Sequence, residues 1–284
     1  MSKLALGSVQ FGLPYGINNH SGVPSDQELK SIFCFAHQKG IKVIDTAQGY
    51  GNAEERIGKF IEYNFDIITK FKKLTNPFPF LKELKESLGN LNAGFVYGYM
   101  AHDGDLLIEN PEWWEGLKEA KNIGLVKKIG YSIYSIDQLD ILISLNMIPD
   151  IVQVPYNILD RRFEYYFAKM KQMGVEIHTR SVFLQGLFFM SLDKLPPKLL
   201  PLKPVIQEIL NISDFFKIPV STMALKFVIQ NPHIDKVLIG VDSKLQLEEN
   251  LQILSNLDLS NELLSRLNNI VVTEKGLLSP VNWT

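Results

Sequence analysis

Four side chains that could carry proton chemistry stand within the first 102 residues: Asp45, Tyr50, Lys70 and His102. Three of them close short apolar runs. Ile44 precedes Asp45, Asp66-Ile67-Ile68-Thr69 precedes Lys70, and Val96-Tyr97-Gly98-Tyr99-Met100-Ala101 precedes His102. A tyrosine hydroxyl, with a pKa of about 10, is a poor acid at neutral pH unless a cation stabilises its phenolate. Lys70 can supply that cation, Asp45 can hold the ammonium in place, and a neutral His102 can donate a hydrogen bond to the oxygen being protonated. The chemistry that needs this set is proton donation to a carbonyl oxygen. No side chain supplies a hydride, so the same chemistry calls for a nicotinamide cofactor. Taken singly, each residue has a plainer reading: a structural Asp–Lys ion pair, a hydrogen-bonded core histidine, a loop-packing tyrosine. A lysine at a strand end can also attack a carbonyl as a Schiff-base nucleophile. Placement of all four at consecutive strand ends favours one shared site.

The elements that must position them read as alternating strands and helices. Strands are expected at 4–9, 42–45, 65–70, 95–102, 127–132, 151–155, 175–181 and 236–241, each a short β-branched or aromatic run. Between them lie segments of helical period at 25–39, 53–63, 77–91, 111–123, 136–145 and 163–173. Ser25 reads as an N-cap, and Gly40, Gly124 and Gly174 stand where helices end. After the seventh strand, 187–202 reads as a proline-stiffened loop. Helices follow at 204–216 and 221–230, and again at 244–254 and 261–270 after the last strand. Strands separated by helices pair in parallel, and eight such units in 284 residues predict an α/β fold, a (β/α)8 TIM barrel forming a single domain over 1–284.

Composition agrees. Apolar residues make up 46% and charged residues 21%, the balance of a globular chain, so disorder is excluded. The formal net charge of −2, without a basic run, argues against nucleic acid or an anionic membrane as partner. One cysteine, Cys34, cannot form an internal disulfide, and the N-terminus has no long apolar stretch. A cytoplasmic location is expected. His20, His37, His102, His178 and His233 are scattered without ligand spacing, so no metal site is expected. Nothing in the sequence sets the oligomeric state.

The stretch Ile44-Asp45-Thr46-Ala47-Gln48-Gly49-Tyr50-Gly51-Asn52-Ala53-Glu54-Glu55-Arg56-Ile57-Gly58 resembles the signature of the aldo-keto reductase superfamily, and the spacing to Lys70 and His102 suits that family. The resemblance extends over nearly the whole chain, from Leu6-Gly7-Ser8-Val9-Gln10-Phe11-Gly12 onward. It implies NAD(P)H-dependent reduction of an aldehyde or ketone, with Tyr50 as general acid, Lys70 and Asp45 as tuners of its pKa, and His102 as substrate orienter. It also implies an extended cofactor lying across the loops, which explains why no Gly-x-Gly-x-x-Gly fingerprint is present. Its cofactor positions fall on Gly7 and Ser8, on Ser132 and Gln153 as partners of the nicotinamide carboxamide, and on Arg180, Ser181, Phe183 and Gln185. The last strand and helix add Gly240, Val241, Asp242, Ser243, Gln246, Glu249 and Asn250 as an adenosine-binding element. Two positions depart from the family pattern. Ile133 stands where asparagine is frequent, and Arg180 stands where an aromatic commonly stacks on nicotinamide; a planar guanidinium can stack too, but adds a charge.

NADPH is the family default, and NADH enters through Asp242. Many NADPH-specific members carry a basic residue there to meet the adenosine 2′-phosphate, whereas a carboxylate repels phosphate and accepts from a ribose hydroxyl. Asp242 can equally be a helix cap. The expected partner is a small-molecule carbonyl compound, with Gln10, Phe11, Gln48, Tyr50, His102, Trp113, Phe183 and Trp283 as pocket candidates; amides beside aromatics suit a sugar-type carbonyl or a plain aromatic aldehyde. Two alternatives remain open at this stage: a non-catalytic NADPH-binding or sensing subunit on the same fold, and a Schiff-base aldolase using Lys70.

Overall fold

In the computed structural model, which describes residues 2–19, 21–72, 80–279 and 282–283, eight parallel strands pair in chain order and close on themselves. They are β1 Leu4–Gly7, β2 Val43–Asp45, β3 Asp66–Phe71, β4 Val96–Ala101, β5 Val126–Ser132, β6 Ile151–Pro155, β7 Glu176–Arg180 and β8 Lys236–Gly240. β8 returns to β1 with Leu4 opposite Val237 and Gly7 opposite Gly240. The expected (β/α)8 barrel is therefore the observed fold. Ala5, Val43, Ile68, Met100, Ile151 and Leu238, from six strands, pack together inside it. The larger apolar cluster lies between the barrel wall and its helices.

The helices are α1 Val9–Gly12, α2 Asp26–Gln38, α3 Ala53–Gly58, α4 Phe80–Asn90, α5 Asp105–Glu109, α6 Glu112–Asn122, α7 Ile136–Ser144, α8 Glu164–Gln172, α9 Lys203–Phe216, α10 Val220–Ile229, α11 Lys244–Ser255 and α12 Asn261–Asn268. Local chemistry sets their ends. Ser25 accepts from the Glu28 amide at the start of α2, and Ser135 with Gln138 forms a reciprocal capping box on α7. Gly40, Gly124 and Gly174 take φ of 72°, 79° and 79° just beyond α2, α6 and α8, where a side chain would be strained.

The sequence and the structure part in a few places. The first strand stops at Gly7, level with the ends of its neighbours β2 and β8, and the chain then turns into α1. Lacking further strand partners, the Ser8 carbonyl accepts from the Phe11 amide instead. The helix expected over 53–63 ends at Gly58, where a Cβ would stand 2.3 Å from the Asn90 carbonyl oxygen, and a separate 3-10 turn covers Ile61–Tyr63. The proline-rich 187–202 segment contains 3-10 turns at Leu192–Lys194 and Pro197–Leu202. The 77–79 part of the helix expected from Pro77 lies outside the described residues, as does His20. α1 and α5 are too short to leave a periodic signal.

A polar cluster fills the barrel at the N-terminal ends of its strands. Glu176 pairs with Lys128, accepts from the Tyr97 hydroxyl at 3.0 Å and lies 3.5 Å from His178 Nε2. Burial alone would raise the Glu176 pKa, but the hydrogen bonds and charges of His178 and Lys128 outweigh it and hold the carboxyl at about 2. The unfolded carboxyl titrates at about 4.3, so this cluster's contribution to stability is complete above that pH and disappears as pH falls through about 2. In urea titrations from pH 6 to pH 2, the stability gap between wild type and Glu176→Gln is expected to shrink steadily below about pH 4.3. A gap that stays constant across that window would contradict the assignment.

Candidate active site

At the C-terminal ends of the strands lies a cavity of about 680 Å³. Its geometry begins underneath, with Lys70. This side chain ends in the barrel interior with no solvent exposure, its Nζ donating to Asp45 Oδ1 at 2.5 Å and to the Thr46 carbonyl at 3.0 Å. The second oxygen of Asp45 accepts from Gln153 Nε2 at 2.8 Å. A carboxylate only accepts, so the amide of Gln153 is oriented with its NH2 on Asp45 and its carbonyl free for another donor. Burial pushes the Lys70 ammonium below the ordinary lysine range, and Asp45 works against that shift.

Tyr50 and His102 stand above this pair, with ring centroids 5.4 Å apart and planes at 81°. The Lys70 Nζ lies 5.4 Å from the Tyr50 ring centroid. Burial first, then the Asp45 carboxylate, push the Tyr50 phenol well above its usual pKa, while the Arg180 guanidinium pulls the other way. Burial together with the charges of Lys70 and Arg180 pushes His102 down to about 3. At neutral pH, therefore, the phenol keeps its proton and the imidazole is uncharged. Lys70 faces neither the cavity nor open space for a carbonyl carbon, which disfavours the Schiff-base reading.

The Tyr50 loop is fixed by backbone contact and by the other residues of its signature. A Cβ on Gly12 would stand 1.9 Å from the Tyr50 carbonyl oxygen, and one on Gly51, at φ 60°, would stand 2.5 Å from the Gly12 oxygen. The end of α1 and the loop thus touch through main chain alone. α3 behind the loop is tied down twice. Glu54 Oε1 accepts from Thr69 Oγ1 at 2.5 Å, while Arg56 donates to the Phe11 and Pro24 carbonyls at 2.5 Å and 2.6 Å and to Asp26. Glu54 and Arg56 do no chemistry at the cavity. They hold the helix that holds Tyr50.

The cavity wall contains most of the residues singled out from the sequence. Gly7 ends β1 and Ser8 follows it, Asp45 ends β2 and Tyr50 lies in the loop beyond, His102 follows β4, Ser132 and Arg180 end β5 and β7, and Gln153 lies within β6. Ser181, Phe183 and Gln185 line it from the segment after β7, and Gly240, Asp242, Gln246, Glu249 and Asn250 from β8 and α11. Lys70, Val241 and Ser243 do not line it: Lys70 lies beneath, Val241 is fully buried, and Ser243 caps α11 by accepting from the Gln246 amide at 3.2 Å. Asp242 is thus not the cap, and its Oδ1 is buried without a hydrogen-bond partner. The Lys244 amide donates to Glu28 Oε1 at 2.6 Å, and the Lys244 side chain turns to Glu248.

Four of the pocket candidates fall elsewhere. Phe11 is packed against Phe33 in the core, Trp113 against Phe71, Gln48 donates to α4 through the Glu83 carbonyl and Ser87, and Trp283 donates to the Leu277 carbonyl. Each is an aromatic or amide near a loop in sequence, but faces away from the barrel axis. In their place the wall includes Tyr15, Asn18, Asn19, Tyr134, Phe189 and Ser221. The signal for Tyr15 and Tyr134 was available, because both lie in loops that follow barrel strands. Tyr15 also crosses the cavity, its hydroxyl accepting from Gln185 Nε2 at 2.6 Å. Gln185 follows Ser181 and Leu184 in a run of left-handed backbone, with φ of 65°, 47° and 55° for Ser181, Leu184 and Gln185. Asn157 holds that run by donating to the Ser181 carbonyl at 3.0 Å.

The profile of the Aldo/keto reductase family matches residues 3–272. This chain belongs to that family. The resemblance seen in the Asp45–Gly58 stretch is thereby borne out. It is 32% identical over 145 residues to "Aldo-keto reductase YhdN" of Bacillus subtilis, which covers 45% of this chain and 44% of that one. The chain thus spans about half the length of such relatives. It is 23% identical to the "NADH-specific methylglyoxal reductase" of Escherichia coli, with 80% and 82% of the two chains covered. Among solved structures, AKR11C1 from Bacillus halodurans in its holo form has a TM-score of 0.73 at 21% identity, covering 96% and 94%, a likeness of fold. Among the described residues, no helix is long and apolar enough to cross a membrane.

The ion pair under Tyr50 has a test that separates support from chemistry. Removing one member of a buried pair typically costs about 3–5 kcal/mol. Lys70→Met is expected to lose stability of that order in denaturant, because the Asp45 carboxylate stays buried with only Gln153. Lys70→Met with Asp45→Asn is expected to recover most of the stability and none of the carbonyl reduction. Recovery of turnover in the double variant would show that the pair is structural only.

Proposed function

We propose that the protein reduces an aldehyde or ketone to the alcohol, with a reduced nicotinamide dinucleotide as hydride donor and Tyr50 as general acid. The observation that carries this reading is the protonated Tyr50 set edge-on to a neutral His102 in one cavity wall, above the buried Asp45–Lys70 pair. A carbonyl oxygen between the two rings meets two donors, the phenol and an imidazole N–H. His102 orients the oxygen and carries no charge to compete for the proton. Tyr50 passes its proton to the oxygen as negative charge develops there, and the phenolate left behind faces the cations Lys70 and Arg180. Solvent then returns a proton to Tyr50.

The residues present fit the dinucleotide. The wall runs from Ser132 and Gln153 past the segment after β7 to α11, mixing polar side chains with apolar ones such as Phe183, Leu238 and Ile253. Ser8 Oγ, Gln10 Oε1 and Asp242 Oδ1 are buried there without hydrogen-bond partners. Ser132 and the free carbonyl of Gln153 would hold the nicotinamide carboxamide, Ser181 and Gln185 the diphosphate, and Asp242, Gln246 and Asn250 the adenosine. When bound, the reduced nicotinamide supplies the hydride.

The adenosine end admits NADH beside the NADPH that the family commonly uses. Ser243 and Glu28 already occupy the amides at the start of α11, and Asp242 has one carboxylate oxygen, Oδ1, buried without a hydrogen-bond partner beside the cavity. A 2′-phosphate there would meet the Asp242 carboxylate where it needs donors, whereas a ribose hydroxyl can donate to Asp242. The "NADH-specific" relative is consistent with this reading.

Tyr50→Phe is expected to lower kcat for carbonyl reduction by about 10²–10⁴-fold or more while cofactor affinity, measured by fluorescence titration, stays close to wild type. Near-normal turnover in Tyr50→Phe would remove the assigned acid; tight cofactor binding with no turnover of any carbonyl by wild type would favour a sensing role. For the cofactor, calorimetry is expected to give NADH a Kd no weaker than that of NADPH, with Asp242→Arg reversing the order. A wild-type preference for NADPH of ~10³-fold, about 4 kcal/mol, would mean that Asp242 does not face the ribose.

A further inference from the structure

Arg180 has a charge that the protein itself does not answer. Among the described residues no carboxylate pairs with it, although the chain places many other lysines and arginines in ion pairs. Among the described residues, the carboxylates of the cavity are committed elsewhere or make no ion pair with Arg180. Asp45 is held by Lys70 and Gln153, while Asp242 and Glu249 come from the β8–α11 side. A guanidinium keeps its proton at any accessible pH, so its charge is permanent. Leaving it half-buried without a counter-ion costs stability that a folded chain ordinarily avoids.

Its orientation is nonetheless fixed. The Tyr134 ring stacks on the guanidinium with its centroid 4.2 Å from Cζ, and Nη2 donates to the Ile133 carbonyl at 3.3 Å. Nε is buried and has no partner. One face and one corner are thus used to hold the group still, and a donor edge is left over. Planar donor edges of this kind match carboxylate and phosphate oxygens. The same cavity wall contains Tyr50 and His102, and both feel this charge.

We propose that Arg180 is an anion anchor that selects carbonyl substrates bearing a carboxylate or phosphate group near the reducible carbon. This rests on the carbonyl-reductase reading and narrows it from any aldehyde or ketone to anionic ones. The anchoring would hold such a substrate by a group that takes no part in the reaction and present its carbonyl to Tyr50 and His102. The diphosphate of the cofactor offers the same chemistry, so the test must tell the two sources apart.

The test uses purified protein saturated with reduced dinucleotide and matched substrate pairs: 2-, 3- and 4-formylbenzoate against their methyl esters, and glyceraldehyde 3-phosphate against glyceraldehyde. At least one anionic member is expected to exceed its neutral partner in kcat/KM by about tenfold to a hundredfold, the range of a charge-assisted hydrogen bond. That ratio is expected to collapse toward one in Arg180→Met and to survive in part in Arg180→Lys. Wild type that reduces every neutral member as well as its anionic partner overturns the proposal, whatever the variants do. So does an Arg180→Met protein whose cofactor Kd rises tenfold while the substrate ratio is unchanged, since the guanidinium then serves the diphosphate. Calorimetry with benzoate and with inorganic phosphate, in the presence of cofactor, gives a readout independent of turnover. Arg180-dependent binding without reduction of any carbonyl keeps the anion site and rejects the reductase reading; equal binding by wild type and Arg180→Met rejects the site.

Discussion

A lysine ammonium with no access to solvent is tolerable only if something negative is held against it. The contact between Lys70 and Asp45 is that condition, and most of the site follows from it. The pair is not itself a large source of stability, because the attraction does little more than offset the loss of hydration. Its value lies in what it requires of its surroundings. Asp45 ends β2, Lys70 lies in β3 and Gln153 in β6, so the three meet only because the sheet closes into a barrel. The Gln153 amide is oriented by Asp45, the Tyr50 phenol is kept protonated in part by the same carboxylate, and His102 is kept neutral in part by the same ammonium. Three separate properties of the cavity floor thus trace to one buried ion pair.

The cavity above it is electrically divided. At the end that contains Tyr50 and His102, the charges beyond the neutralised pair come from Arg180. At the α11 end they come from Asp242 and Glu249, with Glu28 against the helix start. An elongated ligand entering this groove meets opposite fields at its two ends, which fixes its direction as well as its identity. The hydrogen bond between Tyr15 and Gln185 adds a contact of neutral groups to the same wall.

Much of this was legible in the sequence, and the reasons differ from residue to residue. The strands could be read because each is a short β-branched or aromatic run between turn residues, and Asp45, Tyr50, Lys70 and His102 because they close or follow those runs. Strand ends in a barrel converge whatever the loops do. Side chains whose role depends on which way a loop faces could not be placed. Trp113 and Gln48 have the composition of pocket residues but point into the packing between barrel and helices, whereas Tyr15 and Tyr134, no more conspicuous as letters, face the cavity. The allocation of Asp242 and Ser243 also needed coordinates. Both are good helix caps by type, and only the hydrogen bond from the Gln246 amide shows that Ser243 takes the role and leaves Asp242 Oδ1 without a partner. Lys70 is a third case. Its chemistry was apparent, but its position beneath the wall rather than in it follows from burial that a sequence does not display.

The main-chain contact between Gly12 and the Tyr50 loop has a consequence for how such a protein can change over time. Because the neighbouring atoms are peptide oxygen and nitrogen, no second substitution nearby can make room for a side chain at position 12. Drift is blocked there, although the residue touches neither ligand nor proton. The rim that decides what enters the groove is built from side chains on loops and carries no such restriction. The two regions are therefore exposed to selection on unequal terms: new specificities can be sampled at the rim one residue at a time, while the position of Tyr50 is inherited unchanged.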